Sequence, residues 1–338
     1  MTRERLSAIL DRFAALRMVV VGDFFLDKYL DLDATLTETS LETGLDAYQV
    51  VRVRAYPGAA GTVVNNLAAL GVGTISAVGA VGDDGEGYEL RRALADLGVG
   101  IDHLIARADR FTPTYTKPML REGDGPAREL QRLDIKNRTP TPADLGAAII
   151  EHLMSAAADA DAVMVMDQVE HGDCGVITPR VRDALQWLGR ERRDLLVFVD
   201  SRRRIGEFRD VTIKVNRAEA VAAADTDDLD RAARVLAARV GRSVFVTLGA
   251  DGILVCYGET STRVPGFRVE GDIDIVGAGD AASAALAASL SADASPTEAA
   301  LVANLVASIT IQQLGVTGTA SADQVLARVT PYCQQNPP

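Results

Sequence analysis

Cysteine is scarce in this chain and poorly placed to build a framework. Cys174, Cys256 and Cys333 form no CxxC pair and leave an odd count, which argues against a disulfide scaffold or a thiolate zinc site and fits a reducing compartment. Histidine is equally rare, and His103, His152 and His171 make no HExxH or other metal spacing. Basic residues are outnumbered, 35 Lys and Arg against 47 Asp and Glu, for a formal charge of −12. That balance argues against a nucleic-acid partner, which needs a basic face. An acidic chain that takes a phosphorylated ligand must gather its cations locally. No Gly-Lys-Ser/Thr closes a Walker A loop, no GxGxxG follows the first strand-like run, and no internal repeat is present. Long apolar runs are missing too. The Ala/Leu-rich stretch 281–314 is broken at 291–296, and the amphipathic N-terminus is interrupted by Glu4, Asp11 and Arg12, so neither a membrane span nor a signal peptide is expected. The chain reads as soluble and cytoplasmic.

What is present is enough for one α/β domain: 338 residues, 48% of them hydrophobic. Short β-branched runs at Met18–Gly22, Thr74–Gly79, Ala162–Met166, Leu195–Asp200, Val211–Val215 and Val244–Leu248 alternate with amphipathic stretches near 60–71, 85–98, 142–158, 177–190, 228–240 and 320–330. Alternation of this kind predicts a central, mostly parallel sheet flanked by helices on both faces, with ligands at the carboxyl ends of the strands. Two segments break the rhythm. Tyr29–Tyr56 and Thr112–Leu133 alternate polar and apolar residues and hold no helical pattern, which predicts half-exposed antiparallel strands forming a small lid. Such exposed strands also offer a homodimer surface.

The richest motif is Asp274-Ile275-Val276-Gly277-Ala278-Gly279-Asp280, where two glycines and a carboxylate precede an alanine-rich helix. The free N–H groups of a helix start can cradle phosphate charge, and Asp280 in the first turn can take a proton from an attacking hydroxyl. An ordinary helix start with a favourably placed acid fits the same residues.

Other candidates carry similar double readings. Asp23 and Asp27, four residues apart after the first strand, are sugar-hydroxyl acceptors or surface turn acids. The run from Gly58 and Ala59 to Asn66 is a close ligand approach or tight helix packing. Asn216 and Glu219 are a water-mediated magnesium pair or a capping box. Val246–Gly252 holds a nucleotide or makes a hairpin turn. Arg202, Arg203 and Arg204 meet a phosphate or form a solvated loop.

In this order the motifs resemble the ribokinase-like (PfkB) carbohydrate kinases over nearly the whole chain. The resemblance implies a single ribokinase-like domain over 1–338, with lid segments about 29–56 and 112–133, that phosphorylates a sugar or sugar phosphate with ATP and Mg²⁺. A monovalent cation such as K⁺ would sit near 310–319. It implies Asp280 as general base, with Gly277, Ala278 and Gly279 as anion hole. Asn216, Thr247, Gly249, Gly252 and Asn304 would hold the nucleotide, and Asn216 with Glu219 the metal through water. Asp23, Asp27, Gly58, Ala59, Asn66, Lys117 and Asp167 would face the acceptor.

Within the family the chain is most similar to kinase domains acting on D-glycero-D-manno-heptose 7-phosphate. That similarity lies at Val20–Tyr29, Thr112–Lys117 and Leu130–Asp134, and it adds Arg132 as a phosphate contact. Fructose, ribose or a nucleoside are the alternative acceptors, and a non-catalytic sensor is the rival role. Two departures touch the sugar wall: Ala59 stands where the family has glycine, and Thr62 where the heptose kinases have asparagine.

Overall fold

Met18 and Val20 are buried in one apolar cluster and their neighbours Val19 and Val21 in another, so the first strand is covered on both faces. The same holds along most of the sheet. The computed structural model describes residues 1–123 and 125–336. Its strands, in chain order, are β1 (Arg17–Gly22), β2 (Phe24–Thr39), β3 (Asp46–Ala59), β4 (Thr74–Gly82), β5 (Gly100–Arg107), β6 (Thr114–Arg121), β7 (Arg128–Glu129), β8 (Leu133–Ile135), β9 (Ala162–Asp167), β10 (Leu196–Ser201), β11 (Thr212–Asn216), β12 (Val244–Thr247), β13 (Ile253–Tyr257) and β14 (Thr260–Val264). Its helices are α1 (Arg3–Asp11), α2 (Ala60–Ala69), α3 (Gly85–Asp96), α4 (Ala143–Ala157), α5 (Pro179–Glu191), α6 (Arg217–Ala224), α7 (Leu229–Val240), α8 (Ala278–Ser291), α9 (Pro296–Thr310) and α10 (Ala322–Gln335).

Nine strands make the central sheet in the order β14-β13-β12-β11-β10-β9-β1-β4-β5. All neighbours are parallel except β12–β13 and β13–β14, which close one edge as a hairpin. Helices α1, α2, α3, α8, α9 and α10 contribute to one apolar cluster, and α4 to α7 to the other. Strand order reverses at β1, whose neighbours are β4 on one side and β9 on the other. A crevice at the carboxyl ends of β1 and β9 is therefore the expected ligand position in such a sheet.

The expected strands and helices are present. The sequence reading named no strand over Gly100–Arg107, because this edge strand exposes alternate residues and has no continuous apolar run. It also missed the hairpin partners β13 and β14, although it read Gly249–Gly252 as a turn.

The two segments without helical pattern form a second sheet in the order β3-β2-β6-β7, with β8 paired to β6. β2 and β3 pair antiparallel from Phe24↔Ala59 out to Thr39↔Asp46, and β2 and β6 pair parallel from Leu26↔Thr114. β3 is the edge strand and exposes Tyr48, Val50, Val51, Val53 and Tyr56. Among the described residues, no helix is long and apolar enough to cross a membrane.

Candidate active site

Gly277 caps α8 with φ +79°, a left-handed conformation that glycine adopts freely. A Cβ there would also lie 2.4 Å from Thr317 Cγ2. Ala278 donates its N–H to Ile275 O at 3.2 Å, which closes the turn. Of the three residues expected to form an anion hole, Ala278 thus has its N–H engaged within the loop. The N–H groups of Gly277, Gly279 and Asp280 have no partner among the described residues and are the donors left for an anion.

Asp280 is the third residue of α8 and its carboxylate has no hydrogen-bond partner among the described residues. Burial, and next the charge of Asp200, push it up to about 7, against the pull of Lys214 and Arg202. A carboxyl poised near neutrality suits a general base.

Beneath this helix start lies a group of residues to which the sequence reading gave no role. Lys214 Nζ sits 2.7 Å from Asp200 Oδ2, Ser283 Oγ donates to the same oxygen at 2.8 Å, and a Cβ on Gly279 would lie 3.3 Å from Lys214 Nζ. Burial pulls the Lys214 ammonium down, but Asp200 more than offsets this and holds it above its ordinary value. The signal was available: a lysine inside the otherwise apolar Thr212–Val215 strand must find a partner or carry a large desolvation cost.

At the carboxyl ends of β11 and β12, Asn216 and Glu219 form a complete capping box, with N–H···O distances of 2.9 and 2.8 Å. Burial holds the Glu219 carboxyl above the ordinary range against the Asn216 N–H and Lys214. Among the described residues no three His, Cys, Asp or Glu side chains gather as a metal cluster. A magnesium ion brought by phosphate oxygens would be held here through water by Asn216 and Glu219, a donor set of hard oxygens that suits it.

Thr247 Oγ1 bonds Val215 O at 3.3 Å on the adjoining strand, and Gly249 has φ +61° in the following turn. Gly252 and Asn304, the other two residues expected at the nucleotide, pack against the edge hairpin. A Cβ on Gly252 would lie 2.1 Å from Val264 O, and Asn304 Nδ2 donates to Val264 O and Pro265 O at 3.1 and 3.0 Å, tying α9 to the edge hairpin. On the far side of the anion loop, Asp274 accepts from Val276 and Gly315 N–H, which links the loop to the 310–319 segment named for a monovalent cation.

The acceptor candidates separate sharply. Asp27, on β2, lines a cavity with Tyr29, Tyr56, Thr62, Asn65 and Thr317. Burial raises its carboxyl above the ordinary range against Lys117, whose Nζ is 3.6 Å away and donates to Tyr29 Oη at 3.0 Å. A Cβ on Gly58 would meet Asp27 Oδ2 at 2.6 Å, so any side chain there would displace this carboxylate. Ala59, in the family's glycine position, is held at φ +55° and ψ −116°, a conformation that costs an L-residue about 1–3 kcal/mol.

Three residues expected at the acceptor have partners within the protein. Asn66 is fully buried and donates to Thr62 O at 2.9 Å, while its neighbour Asn65 reaches the cavity. Asp23 spends its carboxylate on the N–H groups of Gln168, Val169 and Val176 at 2.9, 3.0 and 2.7 Å, bracing the β9 loop. Asp167 is buried under Arg204, which grips both its oxygens, and under Ser201 Oγ at 2.6 Å. The arginine triplet is therefore split: Arg204 is structural, Arg203 pairs with Glu170, and the Arg202 side chain, among the described residues, reaches only Gln168 Oε1 at 2.7 Å.

Comparison with known proteins follows the same lines. The model for the pfkB family carbohydrate kinases matches residues 210–323, which hold the capping box, the glycine turn and the anion loop. The chain is 30% identical over 97% of its length to the bifunctional protein HldE of Citrifermentans bemidjiense and to that of Pelobacter propionicus, and it spans 66% of the length of each. Among solved structures it resembles the ribokinase of Arabidopsis thaliana complexed with ribose and ATP (TM-score 0.65, 20% identity, 92% of this chain and 98% of that one) and the ribokinase of Thermotoga maritima (TM-score 0.66, 19% identity, 93% and 99%).

Proposed function

Because the chain belongs to the pfkB family of carbohydrate kinases, we propose that it transfers the γ-phosphoryl group of ATP to a hydroxyl of a sugar or sugar phosphate, with Asp280 as general base. The observation that carries this reading is a carboxylate with its pKa near 7 and no partner among the described residues, three residues after the glycine cap of a helix whose first N–H groups include donors unpartnered among those residues. The acceptor oxygen attacks phosphorus as its proton passes to Asp280, and the bond to the departing ADP breaks. Charge on the transferring group is met by the Gly277, Gly279 and Asp280 N–H groups, with the Lys214 ammonium behind them. Magnesium, when bound with the nucleotide, supplies further neutralisation of the phosphate oxygens. Asn216, Thr247 and Gly249 lie on the nucleotide side, and Asp27 orients the acceptor. The smaller sheet excludes water as a lid.

A heptose 7-phosphate is the acceptor this reading favours. Its supports are the resemblance at Thr112–Lys117 and Leu130–Asp134, and the similarity to the HldE proteins across 97% of the chain.

The test is ADP release measured over a panel of sugars, sugar phosphates and nucleosides. ADP formation with a sugar or sugar phosphate is the expected result. Tight ATP binding without ADP formation on any acceptor would overturn the reading in favour of a sensor.

The acidity of Asp280 adds a second expectation. The base must be ionised to accept a proton, so kcat/KM should fall about tenfold per unit as pH drops below about 7, and level off above it. A rate unchanged between about pH 6 and 8 would remove Asp280 from the role.

A further inference from the structure

The chain has only 3 histidines in 338 residues, and two of them meet. His103 lies midway along the edge strand β5 and His152 in the third turn of α4, a separation of 49 positions that no local spacing reveals. In the fold their Nδ1 atoms face one another at 3.1 Å, with ring centroids 5.2 Å apart and ring planes at 83°. Both residues are half-buried, and neither ring has another hydrogen-bond partner among the described residues.

The backbone beneath them leaves little play. Ile149 and Leu153 of α4 are fully buried and Leu104 of β5 is nearly so, which fixes the roll of the helix and the face of the strand and so aims the imidazoles at each other. Nearer the start of α4, Arg107 of β5 pairs with Asp144 at 2.7 Å. The helix is thus tied to the same strand again, about 12 Å along its axis from His152.

Two neutral imidazoles at this separation hold one proton between two facing lone pairs. A metal ion in place of that proton meets both lone pairs at once. Zinc–imidazole bonds are about 2.0–2.1 Å long, so two such nitrogens on a tetrahedral ion lie about 3.3–3.4 Å apart. The pair needs to open by only about 0.2–0.3 Å to reach that spacing. Rings set nearly perpendicular can turn their in-plane lone pairs to one point, which parallel stacked rings cannot. Imidazole nitrogen selects zinc, copper or nickel over magnesium, which prefers oxygen. Half-exposure lets water complete the coordination, and the formal charge of −12 favours a cation.

We propose that His103 and His152 form a transition-metal site of the zinc class, in which one ion held by both Nδ1 atoms and by water clamps α4 to the edge strand β5. The site stands apart from the kinase reading, since neither histidine is among the residues that line the Asp27 cavity. Its effect is on stability. Ligands this far apart in sequence do not preform a site in the unfolded chain, so the ion binds the folded state and favours it.

The test is a zinc titration of the tag-free, nucleotide-free protein at about pH 8, above the ordinary imidazole range. It is followed by calorimetry and by the ring-nitrogen resonances of isotope-labelled histidine. About one equivalent should bind, moving the His103 and His152 resonances together while His171 serves as the unmoved control. Magnesium at the same concentration should move neither. His103→Ala and His152→Ala should each weaken binding by at least about tenfold, the cost of losing even an outer partner of a metal ligand. Excess zinc should raise the thermal midpoint of the parent by a few degrees and leave that of both variants in place. Resonances unchanged at about 1 mM zinc overturn the proposal, as does binding that both alanine variants retain. Variants that lose metal-free stability beside a parent that ignores zinc also overturn it, because a proton alone then joins the pair. The resonances are read on the parent, so a variant that folds poorly does not shield the proposal.

Discussion

Replacing Asp280 with asparagine should lower kcat by about 10²–10⁴ while the protein stays folded, because an amide keeps the shape of the carboxylate but cannot accept the proton. The structure makes this a clean experiment. Asp280 has no hydrogen-bond or ion-pair partner among the described residues, so its loss leaves no buried group unpaired. Its folded pKa is raised to about 7, which means its charged form is less favourable in the folded chain than in the unfolded one. Above pH 7 that charge works against stability, and the neutral amide removes it. The thermal midpoint of Asp280→Asn should therefore match or exceed that of the parent at pH 8. Turnover within about tenfold of the parent would show that another group takes the proton.

Lys214→Met should cost about 3–5 kcal/mol of stability, the usual consequence of stranding one member of a buried ion pair. Lys214 and Asp200 are only 7% and 6% exposed at their side chains, and the methionine would leave the Asp200 carboxylate with Ser283 alone. Adding Asp200→Asn removes the stranded charge and should recover much of the loss. In the single variant, Asp280 keeps the repulsion of Asp200 and loses the attraction of Lys214, so the acid limb of its rate profile should move to higher pH. Chemical denaturation and a pH–rate series read the two effects separately. A loss below about 1 kcal/mol would mean that water reaches the pair and that Lys214 is not the buried counter-charge described here.

How much of this was legible beforehand depended on how local each signal is. The anion loop was readable because cap, glycines and base lie within seven consecutive residues. Asp23 and Asp27 looked alike because both follow the first strand, four residues apart. What divides them is the backbone of Gln168, Val169 and Val176, about half the chain away, which claims the first and leaves the second. Asn65 and Asn66 differ by one step, about 100° around a helix, and a stretch this rich in small and apolar residues does not say which one faces the core. Arg202–Arg204 was read as one charge run, whereas the buried Asp167 selects the third member. The parallel strands were found by their apolar composition, and β5 escaped because an edge strand does not need it.

The long β2–β3 ribbon acts as a lever. Asp27 sits near its root and Thr39 near its tip, about 40 Å farther along at roughly 3.3 Å per residue. By that geometry, a swing of about 10° about Phe24 carries the tip about 9 Å and Asp27 under about 2 Å. Whatever grips the tip is geared down to fine adjustment of the carboxylate at the root, so a coarse event at the periphery becomes a small displacement where the acceptor is held.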